Sequence, residues 1–161
     1  IGGTHLVVDA YNDDAITELR SRLNRPNQAF AVMSSDLDAI KRYAKLSARE
    51  IETITSNKRP IVILKKNDNY NFPESLSPGL HNIGVMLPYS PMHYLLFDEG
   101  DIDTYVMTSA NIPGEPMMIE NEEIINGVND YSLVHNRRIL NRFLEQVYYS
   151  ISFSFRIAIR S

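Results

Sequence analysis

Cysteine is absent from this 161-residue chain, so a disulfide framework, a thiolate zinc site and a cysteine nucleophile are all excluded. The redox compartment is therefore left open, and cytoplasm is the default expectation. No apolar run approaches the roughly 20 residues that a membrane span needs. The opening Ile1-Gly2-Gly3-Thr4-His5 also lacks the basic region of a signal peptide, so neither a membrane nor an exported chain is expected. Histidine is sparse: His5, His81, His93 and His135 never fall at the i, i+4 spacing of a helical metal pair, and no metal site is expected from them. His93 beside Tyr94 and Leu95 reads as a packed or surface residue. Walker, Rossmann and GxSxG signatures are missing. A net charge of −4 argues against broad attraction to nucleic acid, although positive charge is locally clustered at Arg20, Arg22 and Arg25 and again at Arg137, Arg138 and Arg142.

What is present suffices for one core, since 43% of the residues are hydrophobic. The β-branched run His5 to Asp9 predicts a strand. Asn12-Asp13-Asp14 then supplies an N-cap and first-turn carboxylates for a helix that turns Ile16, Leu19 and Leu23 inward and stops at Pro26. Phe30 to Met33 predicts a buried strand, and Ser35 a cap for a helix with Leu37, Ile40 and Tyr43 as its stripe. Ser47 with Glu50 is a capping box opening a helix to about Thr55. Pro60 to Leu64 and Ile83 to Leu87 read as strands around a loop from Asn67 to Gly79, and Ser90-Pro91 opens a helix through Phe97. Tyr105 to Met107 is expected to be strand. Asn121-Glu122-Glu123 should cap a short helix ending at Gly127, with strand again from Ser132 to His135.

From Val147 to Ile159 apolar residues alternate strictly with mostly polar ones, which predicts β structure with Val147, Tyr149, Ile151, Phe153 and Phe155 on the core face. Helices and strands that alternate early and give way to a strand-rich end predict an α/β or α+β domain with a mixed, twisted sheet.

Two groups of residues carry candidate chemistry. Thr108-Ser109-Ala110-Asn111 follows an apolar strand, where small hydroxyl and amide groups bond phosphate or sugar oxygens without filling a site. The same residues are also ordinary turn formers. Arginine forks suit bidentate phosphate binding, yet Arg20 and Arg22 alternate with apolar helix positions and are equally consistent with facing solvent.

Taken in order, His5 to Ala10, Phe30-Ala31-Val32-Met33, Arg59-Pro60-Ile61-Val62, Ser77-Pro78-Gly79-Leu80, Ile83 to His93 and Val106 to Pro116 resemble the YrdC-like domain of the HypF carbamoyltransferases that mature nickel-iron hydrogenases. The resemblance covers nearly the whole chain. It implies an α/β fold with a twisted mixed sheet, flanking helices and a concave nucleotide site, and a single domain over 1–161 that lacks its first strand and is cut from a larger multidomain protein. It further implies activation of carbamate, or of a substrate derived from carbamoyl phosphate, with ATP and Mg²⁺ to carbamoyl-adenylate. The carbamoyl group would then pass to a carboxyl-terminal cysteine of a hydrogenase maturation partner. Carried over by motif, the nucleotide-binding residues are Arg25, Ser109, Asn111 and Arg142, expected to converge on one pocket, with Thr108 and Arg137 as additional members. Related expectations are duplex RNA as an alternative ligand, a relative that makes threonylcarbamoyl-adenylate, and an inactive fragment. The resemblance also implies lysines at positions 23 and 28, and two acidic residues and a serine after Arg142. This chain has Leu23, Gln28 and Leu144-Glu145-Gln146 there.

Overall fold

The computed structural model describes residues 4–98, 101–111, 116, 118–126 and 131–132, together with the backbone of 147–149. Strand β1 (His5–Asp9) leads through Asn12 into helix α1 (Asp13–Arg22), one of whose free first-turn amides is taken up when the Asn12 side chain accepts from the Ala15 N–H at 3.0 Å. Strand β2 (Ala31–Ser34) is followed by α2 (Leu37–Tyr43) and α3 (Ala48–Thr55). Ser47 and Glu50 form the expected capping box on α3, satisfying two otherwise orphaned amides reciprocally. Strand β3 (Ile61–Lys65), a 3₁₀ turn (Glu74–Leu76), β4 (Asn82–Met86), α4 (Pro91–Asp98), β5 (Thr104–Ser109), α5 (Asn121–Ile125) and β6 (Val147–Tyr149) complete the order.

The strands form one mixed sheet in the order β1-β5-β2-β4-β3-β6, in which β2 pairs parallel with β4 and β3 parallel with β6. The other neighbours are antiparallel. Strand alternation divides the side chains between two cores. Val32, Val62, Leu64, Ile83, Val85 and Val106 bury against Ile16, Leu19, Ile40, Tyr43 and Ile54 from α1, α2 and α3. On the opposite face Met33, Ile61, Met86 and Met107 pack with Tyr89, Leu96 and Phe97 at and along α4. Gly84 keeps that second face open in the middle of β4, because a Cβ there would lie 3.2 Å from Ile61 Cγ2 and 3.4 Å from Ala31 Cβ. At the end of β2 the buried hydroxyls of Ser34, Tyr43 and Thr104 satisfy one another at 2.7 and 3.0 Å, so none is left bare in an apolar setting.

The mixed sheet with flanking helices agrees with the fold expected from the sequence, and the differences lie at element ends. The cap of α2 is Asp36, whose carboxylate accepts from the Ala39 N–H at 2.8 Å, rather than Ser35. Glu120, not Asn121, precedes α5. Thr108 and Ser109 lie within β5 instead of following it. Helix α1 ends before Pro26, at a turn in which Asn24 takes a left-handed φ of 50°. The Arg25 N–H returns to the Arg20 carbonyl at 3.0 Å and the Asn24 N–H to Ser21 at 3.1 Å, a Schellman closure that asparagine tolerates better than other side chains. Ser132 is not in a strand. Gly127, His135 and the tail beyond Tyr149 fall outside the described residues, as do the side-chain faces expected for Val147 and Tyr149.

Candidate functional site

Because β5 runs antiparallel to β2, its carboxyl end lies beside the amino end of β2, which is where the chain arrives after α1. The Schellman turn therefore delivers Arg25 to the end of β5. Arg25 Nη1 donates to Thr108 Oγ1 at 2.8 Å, while Nη2 donates to the Asn111 carbonyl at 2.9 Å, to Asn111 Oδ1 at 3.0 Å and more weakly to Ser109 Oγ at 3.4 Å. Ser109 Oγ in turn donates to Asn111 Oδ1 at 2.6 Å, which fixes that amide. The edge strand holds this end in register, with His5 opposite Ser109 and the Ala110 N–H bonded to the Thr4 carbonyl at 2.9 Å.

Four residues from two distant segments, Arg25, Thr108, Ser109 and Asn111, thus form one cluster. Arg137 and Arg142 lie outside the described residues. Arg25 is only 7% exposed, and burial lowers its guanidinium pKa from the usual arginine value. Arginine nevertheless stays cationic at any ordinary pH. Its partners are all neutral oxygens, and no carboxylate compensates it among the described residues. Two of its five N–H groups, at Nε and on Nη1, remain without a partner among them. A rigid, uncompensated guanidinium with donors to spare, ringed by small hydroxyl and amide groups, is suited to an oxyanion such as phosphate.

Two positions singled out in the sequence take other roles. Leu23 is completely buried in the core with Ile16, Leu19 and Phe30, so it does not line the cluster, whereas Gln28 is exposed on the loop beyond Arg25. Arg20, for which phosphate binding and a solvent-facing position were both open, does neither here: it is buried and donates to the carbonyls of Arg25, Pro26 and Gln28. The signal was available: Ile16, Leu19, Arg20 and Leu23 make one i, i+3, i+4, i+7 stripe, and Arg20 belongs to it. His93 packs edge-on against Tyr89 at 4.3 Å, and its Nδ1 accepts from the Tyr89 N–H at 3.4 Å.

A hollow of about 410 Å³ lies at the opposite end of the sheet, beyond β2 and β4, where Ser35, Leu37, Lys41, Arg59, Pro88 and Tyr94 contribute to its walls. It holds none of the clustered residues. Its lysine is already paired with Asp38 at 2.8 Å, and Asp36 is committed to capping α2. Its chemistry is largely spoken for. No group of three histidine, aspartate or glutamate side chains suited to a metal exists among the described residues, and no helix among them is long and apolar enough to cross a membrane.

Comparison with known proteins gives the cluster its context. A family profile described as Sua5_yciO_yrdC, telomere recombination, matches residues 1–149. A probable carbamoyltransferase HypF of Methanocaldococcus jannaschii is 51% identical over 147 residues, covering 88% of this chain and 19% of that protein. The crystal structure of HypF from T. kodakarensis superposes with a TM-score of 0.90 at 47% identity, over 94% of this chain and 20% of that one. A full-length HypF in a phosphate- and nucleotide-bound form superposes with a TM-score of 0.88 at 41% identity, over 92% and 24% respectively. The chain spans about a fifth of the length of the curated relatives it matches.

Proposed function

The chain belongs to the Sua5/YciO/YrdC family, and from that premise we propose that it is the ATP-using, carbamate-activating domain of a HypF-type carbamoyltransferase. The observation that carries the reading is the Arg25 cluster: a buried cation without a carboxylate partner among the described residues, held against Thr108, Ser109 and Asn111 at a strand end. The likeness at 41% identity to a HypF structure with phosphate and nucleotide bound supports ATP as the ligand.

The reaction is an adenylation. A carbamate oxygen attacks the α-phosphorus of ATP, a new P–O bond forms, and the bond to the β-phosphate breaks to release pyrophosphate. Carbamate is a poor acyl donor, and its mixed anhydride with AMP supplies a good leaving group for the later transfer. Charge accumulates on the phosphoryl oxygens during the displacement, and a preformed guanidinium stabilises it without reorganising. The two unused N–H groups of Arg25 are the donors for those oxygens, with Thr108, Ser109 and Asn111 holding the fork in place. Mg²⁺ would enter with the triphosphate and would supply neutralisation of its charge. Transfer of the carbamoyl group to a carboxyl-terminal cysteine of a partner, in hydrogenase maturation, belongs to the same proposal.

The test is exchange of labelled pyrophosphate into ATP, with ammonium bicarbonate supplying carbamate. Exchange that requires carbamate and disappears in Arg25→Met is the expected result. Exchange unaffected by that substitution, or none from the wild-type chain, would remove the reading.

A further inference from the structure

Arg20 is as buried as Arg25, at 7% exposure, and it too meets no carboxylate among the described residues. Burying an unpaired cation is costly, so its donors must find acceptors. Five backbone carbonyls fill that need. Nε donates to Ser75 at 2.6 Å and Nη2 to Leu76 at 3.4 Å, while Nη1 reaches Arg25 at 2.8 Å, Gln28 at 2.9 Å and Pro26 at 3.3 Å. One face of the guanidinium lies over the Phe30 ring at 4.6 Å. A single side chain therefore joins α1, the 25–28 loop, the 3₁₀ turn and the entry to β2.

The grip on residue 25 is twofold. Its N–H is held by the backbone carbonyl of Arg20 and its C=O by the side chain of Arg20. With both backbone groups pinned to one residue, the backbone at Arg25 has little room to turn, and its side chain leaves toward the end of β5, where the guanidinium is bonded. A neutral or apolar side chain could fill the same volume, but it could not bridge two chain segments with diverging donors. A lysine would bring the charge without the planar fork.

We infer that Arg20 is a positioning residue, which sets the affinity of the phosphate site through the orientation of Arg25 and without touching the ligand. The inference rests on the nucleotide reading for its functional consequence and on geometry alone for its structural one, and the experiment separates the two. Arg20→Lys, Arg25→Met and the double variant would be titrated with ATP and Mg²⁺ by calorimetry, and the Nε–H resonance of Arg25 followed by NMR in the first of them. Thermal melting would establish that each is folded.

Arg20→Lys keeps the charge, so a purely electrostatic role predicts wild-type affinity. The positioning role predicts about a tenfold weakening, the loss of one well-oriented charge-assisted contact. It also predicts little further loss when Arg20→Lys is added to Arg25→Met, and a displaced, broadened Arg25 resonance. Unchanged affinity with an unmoved resonance, or losses that multiply in the double variant, would overturn it. If the wild-type chain binds no ATP, the nucleotide reading fails, and the Arg25 resonance in Arg20→Lys still decides the positioning claim. Should Arg20→Lys not fold, the order parameters of the Arg20 and Arg25 Nε–H groups in the wild-type chain decide: both are expected at the rigid-backbone level, and a freely moving group at either position would overturn the claim.

Discussion

The resemblance to HypF implies a lysine where this chain has Leu23, and the structure predicts what installing one would do. Leu23 is fully buried at the carboxyl end of α1, in the same core as Ile16, Leu19 and Phe30. Removing the leucine forfeits roughly 1.5–3 kcal/mol of apolar burial. The lysine must then either thread its ammonium to water along its aliphatic stem or remain buried with a depressed pKa, each tenfold loss of proton affinity costing about 1.4 kcal/mol. Together these give a destabilisation of roughly 3–5 kcal/mol, against a total stability for such a domain of about 5–15 kcal/mol. With a urea dependence of about 2 kcal/mol per molar, the unfolding midpoint of Leu23→Lys should fall by roughly 2 M. The assay is equilibrium urea unfolding followed by circular dichroism, with ATP titration of the folded variant. An unchanged midpoint accompanied by tighter ATP binding would show that position 23 faces the nucleotide, and would refute its assignment to the core.

Gln28 is exposed, so Gln28→Lys should change stability by less than about 0.5 kcal/mol. Placed on the loop beside Arg25, the added cation should tighten ATP binding by up to about tenfold and make it more sensitive to salt, which calorimetry at two ionic strengths would check. At alkaline pH the relevant group is Tyr11, whose phenol is pushed up to about 12 by burial and by its hydrogen bond to Asp103. A raised pKa favours the protonated form in the folded state, so its contribution to stability is complete below the ordinary tyrosine value of about 10. It is then lost as pH rises from there through about 12. Tyr11→Phe should flatten that part of the stability profile and delete one late step from the tyrosinate absorbance titration. A variant with the wild-type alkaline profile would show that the phenol is not so held.

Local signals are the legible part of this sequence. Asn12 and the Ser47–Glu50 box can be placed because a cap depends on residues three positions apart. The strands follow from short apolar runs. What escapes are choices decided by tertiary context. Ser35 and Asp36 are adjacent acceptors, and only the path of the chain out of β2 selects the aspartate. Asn24 closes α1 in a left-handed conformation, two residues before the proline expected to end it. Charge alone leaves Arg20 open between a ligand site and solvent, and only its helical stripe with Ile16 and Leu23 points to burial. The Arg25 cluster comes within reach only through family resemblance. Nothing local ties residue 25 to residues 108–111, and the lysine position carried over with it, Leu23, falls in the core.

That separation has a consequence for when the site can exist. Arg25 and Thr108 are 83 residues apart in the chain, and among the described strands β1 pairs only with β5, with His5 opposite Ser109. Closing loops of that length is entropically slow, and a sheet dominated by such pairings has high contact order. During synthesis α1, β2 and the helices behind them can begin to condense while β5 is still unmade, leaving β1 unpaired and Arg25 without the hydroxyls and amide that hold it. The Arg25 cluster is therefore expected to assemble late, with the arrival of residues 104–111 in the sheet. A ribosome-stalled chain ending before Thr104 should carry folded helices and no competent site.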